Sequence, residues 1–208
     1  MPMRTRAGAL LAVAVTGLAL GATLAAPADA APEPAARTAP KFLSAAELPP
    51  HPSSAWTAGK VTDGVPDGLL SCLRDTLPGY DSRYREFRTE LETGAHQLTV
   101  VVGDTSKAKA LATRLNKDIR TCATRLEQAD PEVDAEHRDY GRLPVEEGAR
   151  VHGLHIGTAW GATDIRLLSV GRDGGTVTLV EWGQMGDFDD APVKAFRKTT
   201  AIAVDKLY

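Results

Sequence analysis

The 208 residues carry 24 Lys and Arg against 27 Asp and Glu, a formal net charge of −3. This mild acidic balance gives no electrostatic basis for binding nucleic acid or an anionic membrane. The length suffices for one well-filled domain and is short for two, while 19 Gly and 13 Pro beside 5% aromatic residues forecast many turns.

At the N-terminus, Arg4 and Arg6 precede an uncharged Ala/Leu/Val/Gly run over 7–24, and Ala28-Asp29-Ala30 supplies a small-x-small cleavage pattern. Residues 1–30 are therefore expected to be a signal peptide, with Ala31 the mature N-terminus. The alternative is an uncleaved anchor helix. The run is short for a span of about 30 Å of hydrocarbon, contains Gly8, Gly17 and Gly21, and is followed at once by Ala and Pro. No cysteine stands just beyond it to carry a lipid, and no second long apolar segment follows. The expectation is a secreted protein without stable membrane insertion after cleavage, with a Pro/Ala-rich linker over 31–41 and a single domain over 42–208.

Within that domain, residues 42–48 suit a short helix before Pro49-Pro50, and Trp56 stands alone in a polar, turn-rich stretch, expected to cap a core edge. Pro66-Asp67-Gly68 leads into a helical segment over 69–77, with Cys72 on its apolar side beside Leu69 and Leu73. Strands are predicted over 83–88 and 95–102. Asp104, Thr105 or Ser106 can cap a helix over 107–128, where Ala108, Leu111, Ala112, Leu115, Ile119, Cys122 and Leu126 recur every three or four residues. Pro131 ends that region, and residues 132–141 read as a strand or extended loop. Strands follow over 150–158, 164–171 and 176–182, the last two joined by the tight-turn sequence Arg172-Asp173-Gly174-Gly175. Asp189 or Asp190 can cap a terminal helix near Pro192, with Val193, Phe196, Thr200, Ala203 and Leu207 on one face. This order does not alternate strand and helix. It suits an α+β domain, an antiparallel sheet with helices packed mainly on one face.

Outside the cytosol, two cysteines favour a staple, so a disulfide between the helices bearing Cys72 and Cys122 is expected, with two free buried thiols as the alternative. Other chemistry is weakly signalled. His152 and His155 fall three apart in a strand, which sends them to opposite faces and is unsuited to one metal. Glu132, Asp134 and Glu136 share a face as paired carboxylates could, but no calcium loop accompanies them, and a solvated acidic face is the simpler reading. Glu146-Glu147 and Asp187, Asp189 and Asp190 read as turn charges and caps. No Gly-x-Ser-x-Gly elbow occurs, and Ser71 has no neighbouring base. Gly103-Asp104-Thr105-Ser106 could cradle an anion, though a helix cap explains it equally. Neither a metal nor a cofactor is expected.

Several segments together do resemble a known family. FLSAAELP, the Trp56 region, Cys72 in a small helix, a strand ending VVVGD, the long helix closing on Cys122, and LLSVGRDGGTVTLVEW are similar to the extracellular sensor domain of the actinobacterial serine/threonine kinase PknH and its secreted relatives. The resemblance covers about residues 42–207; Val170–Trp182 and the Cys72/Cys122 placement carry most of it. It implies a twisted antiparallel sheet, helices tied by disulfides, and a cleft for a small ligand. The kinase sensor has a second disulfide for which this chain has no cysteines, and no kinase domain is present here.

The expectation is an exported, non-catalytic ligand-binding or sensor-like domain. Its partner would be a small envelope-derived ligand or an envelope protein, and strand location nominates Arg166, Glu181 and His155 as pocket lining. The alternatives are a secreted hydrolase acting on a cell-envelope substrate and an envelope protein-interaction module.

Overall fold

The computed structural model describes residues 39–74, 76–78 and 81–208; the expected signal peptide and most of the linker lie outside them. Seven strands, β1 (Thr57–Asp63), β2 (Ser82–Arg88), β3 (Gly94–Val101), β4 (Val133–Leu143), β5 (Ala149–Thr158), β6 (Thr163–Asp173) and β7 (Thr176–Met185), form one sheet in the order β1-β2-β3-β7-β6-β5-β4. Every neighbouring pair is antiparallel. The N-terminal meander β1–β3 and the C-terminal meander β4–β7 join where β3 pairs with β7, Leu98 opposite Leu179 and His96 opposite Glu181. Among the described residues there are four α-helices: α1 (Ser71–Arg74), α2 (Thr105–Arg120), α3 (Cys122–Ala129) and α4 (Val193–Asp205). This is the expected α+β class.

Alternation along the strands builds a core on each face. On one face Leu98, Val100, Leu154, Leu168, Val170, Val177 and Leu179 meet Leu73 of α1, Leu111, Leu115 and Ile119 of α2, and Cys122 of α3. On the other, Phe87, Ala95, Val151, Ile165, Leu167, Val180 and Trp182 meet Leu43, Leu48 and the α4 residues Phe196 and Ala203. Three α-helices thus share the first face, and α4 with the segment around Leu43 covers the second. The central strands explain this: β6 and β7 are apolar at successive positions, Leu167-Leu168 and Leu179-Val180, so both faces need cover.

The disulfide forms as expected. Cys72 in α1 and Cys122 at the start of α3 are bonded, with Cα atoms 5.6 Å apart. The helix expected as one piece over 107–128 is two. Thr121, at φ −97° and ψ 1°, separates α2 from α3. Its hydroxyl donates back to the carbonyls of Lys117 and Asp118, and Arg125 also donates to the Asp118 carbonyl; such competition for carbonyls bends a helix.

Asp104 caps α2, accepting from the Lys107 N–H at 2.7 Å. At α4 the expected cap is not used. Pro192 occupies the N-cap without a side-chain bond, while the Asp190 carboxylate accepts from the Asp187 N–H and the Asp187 carboxylate from the Asp189 N–H, closing the preceding turn instead. β1 had no counterpart in the sequence reading. Its residues TAGKVTD mix four polar residues with Ala58, Gly59 and Val61 and show no apolar alternation, and it is an edge strand paired with β2 alone, through a register shift between Ala58 and Val61.

Candidate functional site

At the ends of β3, β7 and β6 the sheet face that carries α1, α2 and α3 turns polar. The ladder places His96 opposite Glu181 and Glu181 opposite Leu168, with Gly94 opposite Gly183 and Gly183 opposite Arg166 one pleat further out. Glycine at positions 94 and 183 leaves the face there without side chains. A Cβ on Gly183 would stand 3.3 Å from the Arg166 Cγ. The loop before α1 closes one side, its Gly68 so near His96 that a Cβ would lie 3.1 Å from the imidazole. The result is a cleft of about 300 Å³ whose polar lining includes Glu92, His96, Asp164, Arg166, Glu181 and Gln184, with the exposed Met185 at its margin.

Two residues nominated from strand location therefore meet in one site. Arg166 donates from Nη1 to Glu181 Oε1 at 2.5 Å. Glu181 is only 1% exposed, and its second oxygen, Oε2, has no hydrogen-bond partner; neither has the buried Nε of Arg166. Removing an ion pair from water is costly unless its remaining donors and acceptors are satisfied, and here half of the obvious fork-to-carboxylate pairing is unmade. His96, which also lines the cleft, has its Nε2 3.7 Å from Glu86 Oε1.

His155 does not join them. It pairs across with Ile165, whereas Arg166 pairs with Leu154, so one step along the strand sends His155 to the opposite face. There its ring packs 5.8 Å from that of Phe188, with Nε2 buried and unbonded. His152, three residues away, points to the first face as expected.

That face holds a second polar cluster, which sequence reasoning missed. His152 is 0% exposed; its Nε2 lies 2.8 Å from Asn116 Oδ1 and its Nδ1 lies 3.0 Å from His137 Nε2. Asn116 Nδ2 donates to the Ala112 carbonyl, which leaves Oδ1 as the acceptor facing His152. The bonding pattern thus assigns a proton to His152 Nε2 and to His137 Nε2. Burial, reinforced by the His137 neighbour, pushes the His152 pKa down to about 4, and burial also lowers that of His137. Both ring nitrogens of His152 are engaged, so it has no free lone pair to act as a base. Beside it, hydrogen bonding from Arg150 holds Asp139 at about 2. The signal that could have found His137 was its placement in the strand after the break at Pro131. Only the β4–β5 register, with Asp139 opposite His152, brings the two rings together.

The remaining candidates take plainer places. Glu132, Asp134 and Glu136 are exposed, and Glu136 pairs with Arg138 at 3.0 Å. Trp56 caps the second core, donating from Nε1 to the Pro49 carbonyl at 2.7 Å near Trp182, while Trp160 is 66% exposed in the β5–β6 loop. Among the described residues no group of three or more His, Cys, Asp or Glu is arranged to hold a metal ion. No helix among them is long and apolar enough to cross a membrane.

No family model and no curated protein matches this chain. What supports a functional reading is therefore the geometry of these clusters.

Proposed function

We propose that this chain is an exported, non-catalytic ligand-binding domain of the PknH-like sensor kind, secreted after its signal peptide is removed. The cleft over Arg166 and Glu181 receives a small envelope-derived ligand. The observation that carries this reading is Glu181, a carboxylate 1% exposed at a cleft lining, with one oxygen lacking any partner. A buried acceptor left unsatisfied costs about 1–3 kcal/mol. A ligand offering an N–H or O–H to Glu181 and an acceptor to Arg166 recovers that cost on binding, and Met185 supplies apolar contact. Binding is favoured over hydrolysis because the histidine with the most shifted pKa, His152, has both nitrogens occupied by structural partners.

The test is native mass spectrometry of protein recovered from culture medium, before and after incubation with a cell-envelope extract. A reproducible small-molecule adduct on the wild type that is lost in Glu181→Gln supports the reading. Absence of an adduct, or an adduct retained in Glu181→Gln, overturns the cleft as the ligand site.

A further inference from the structure

A groove of about 310 Å³ runs between α2 and the corner formed by the β4–β5 turn and the ends of β5 and β6. Its charged lining is Lys109 and Arg120 of α2, Arg142 of β4, Arg150 of β5 and Arg172 of β6, against the single carboxylate of Glu147. Five cations thus converge on one groove in a chain whose net charge is −3. The α2 contribution is a stripe: positions 109, 113, 116 and 120 are spaced by three or four and carry Lys, Thr, Asn and Arg, with no acid among them.

Two of the cations have partners. Arg150 grips Asp139 with both Nε and Nη2, and Arg172 lies 3.6 Å from Glu147 while also donating to the Gly174 carbonyl. Among the described residues, no carboxylate forms an ion pair with Lys109, Arg120 or Arg142. The Arg142 guanidinium lies against the turn at Gly148, where a Cβ would stand 3.1 Å from Nη2 and where φ is +106°. The same charges reach beneath the groove, where Arg120 and Arg150 oppose protonation of His137 and His152 while Asp139 favours it. Clustered like charge destabilises the empty fold and favours an anion that neutralises it.

We propose that this groove is a binding site for a phosphomonoester or diphosphate group, held by Lys109, Arg120 and Arg142. Phosphate fits better than a lone carboxylate because one group brings nearly two negative charges and enough acceptor oxygens for several guanidinium forks. The site is separate from the Glu181 cleft and does not depend on the reading of that cleft. The group could be carried by a soluble metabolite or by a lipid headgroup, and the two sources share this chemistry.

The first experiment is calorimetric titration of the mature protein with inorganic pyrophosphate at low and high sodium chloride. The expected result is saturable binding that weakens with salt, that falls by about tenfold or more in Arg120→Ala/Arg142→Ala, and that is unchanged in Glu181→Gln. Both arginines are exposed, so the double variant should keep the wild-type melting temperature. A parallel arm sediments the protein with phosphatidylcholine vesicles containing phosphatidic acid. Co-sedimentation lost in the double variant assigns a headgroup, and pyrophosphate binding without co-sedimentation assigns a soluble ligand. No saturable binding in either arm, equal affinity for sulfate, or binding indifferent to the double substitution overturns the proposal.

Discussion

An ion pair is costly to remove from water, and the buried Glu181 carboxylate has Arg166 as its partner. Arg166→Ala leaves that carboxylate without its counter-ion. The expected loss is about 2 kcal/mol, below the usual range for a fully buried pair because the arginine side chain keeps some contact with water. Replacing both residues with apolar side chains of similar size should restore most of it. Urea unfolding with an unchanged slope measures this, and a neutral Arg166→Ala would show that the pair contributes little. His152 gives a pH prediction with a defined sign. Its imidazole titrates near 6.5 when unfolded and at about 4 in the fold, so between those values the unfolded chain binds more protons. Stability is therefore full above the upper value and is lost as pH falls through the window, by at most about 3 kcal/mol. Asp139, lowered from 3.8 to about 2, adds a separate loss at lower pH. His152→Asn should shrink the upper limb in unfolding curves taken across the window to what His137 contributes, leaving the lower one; an unchanged upper limb would place the titration elsewhere. At this scale strand location nominated Arg166, Glu181 and His155 alike, and only register separates the first two from the third. His96 and His137 were not legible, since their neighbours are set by strand pairing.

The elements follow local patterning where the pattern is strong. The 3.6-residue period of α2 and the Asp-Gly-Gly turn between β6 and β7 both form as read, with Asp173 opposite Thr176. The break at Thr121 and the polar edge strand β1 are the exceptions. The first depends on hydrogen bonds to Lys117 and Asp118 and the second on pairing with β2, neither of which periodicity reports. The docking of α4 rests on a close approach: a Cβ on Gly171 would stand 2.2 Å from Val204 Cγ2, and Val204 is fully buried. Gly171→Ala should therefore overpack this contact and destabilise by about 1–3 kcal/mol. Val204→Ala, itself destabilising, should relieve part of the strain in the double variant. A double-mutant cycle measures the coupling, and strict additivity would refute the contact.

For the molecule as a whole, the sheet is the shared wall of two cores, and the disulfide staples only one of them. Cys72 and Cys122 are 50 residues apart in sequence, and the closed loop contains β2, β3 and α2. Constraining a loop of that length in the unfolded chain stabilises by about 4 kcal/mol in the chain-entropy model. Reduction, or Cys72→Ala/Cys122→Ala, should lower the denaturation midpoint accordingly, while thiol titration of unfolded, unreduced protein should find almost no free sulfhydryl. Two titrating thiols would show that the staple is absent. The α4 side has no such cross-link and relies on burial of Phe196, Ala203 and Leu207.

Composition, periodicity and turn residues by themselves determined the α+β class, the strands β2, β3, β5, β6 and β7, the inward faces of Cys72 and Cys122, and the opposed directions of His152 and His155, while leaving β4 open between strand and extended loop. Each of these is a local property, fixed by a period of two or of 3.6 and by which residues accept a turn. The tertiary structure alone decided that α4 covers the second face and that Arg166 meets Glu181 while His155 does not. It also decided that His137 meets His152, and that five cations from α2, β4, β5 and β6 line one groove. Those outcomes depend on strand order and register, which join residues far apart in the chain and leave no periodic trace within any one segment.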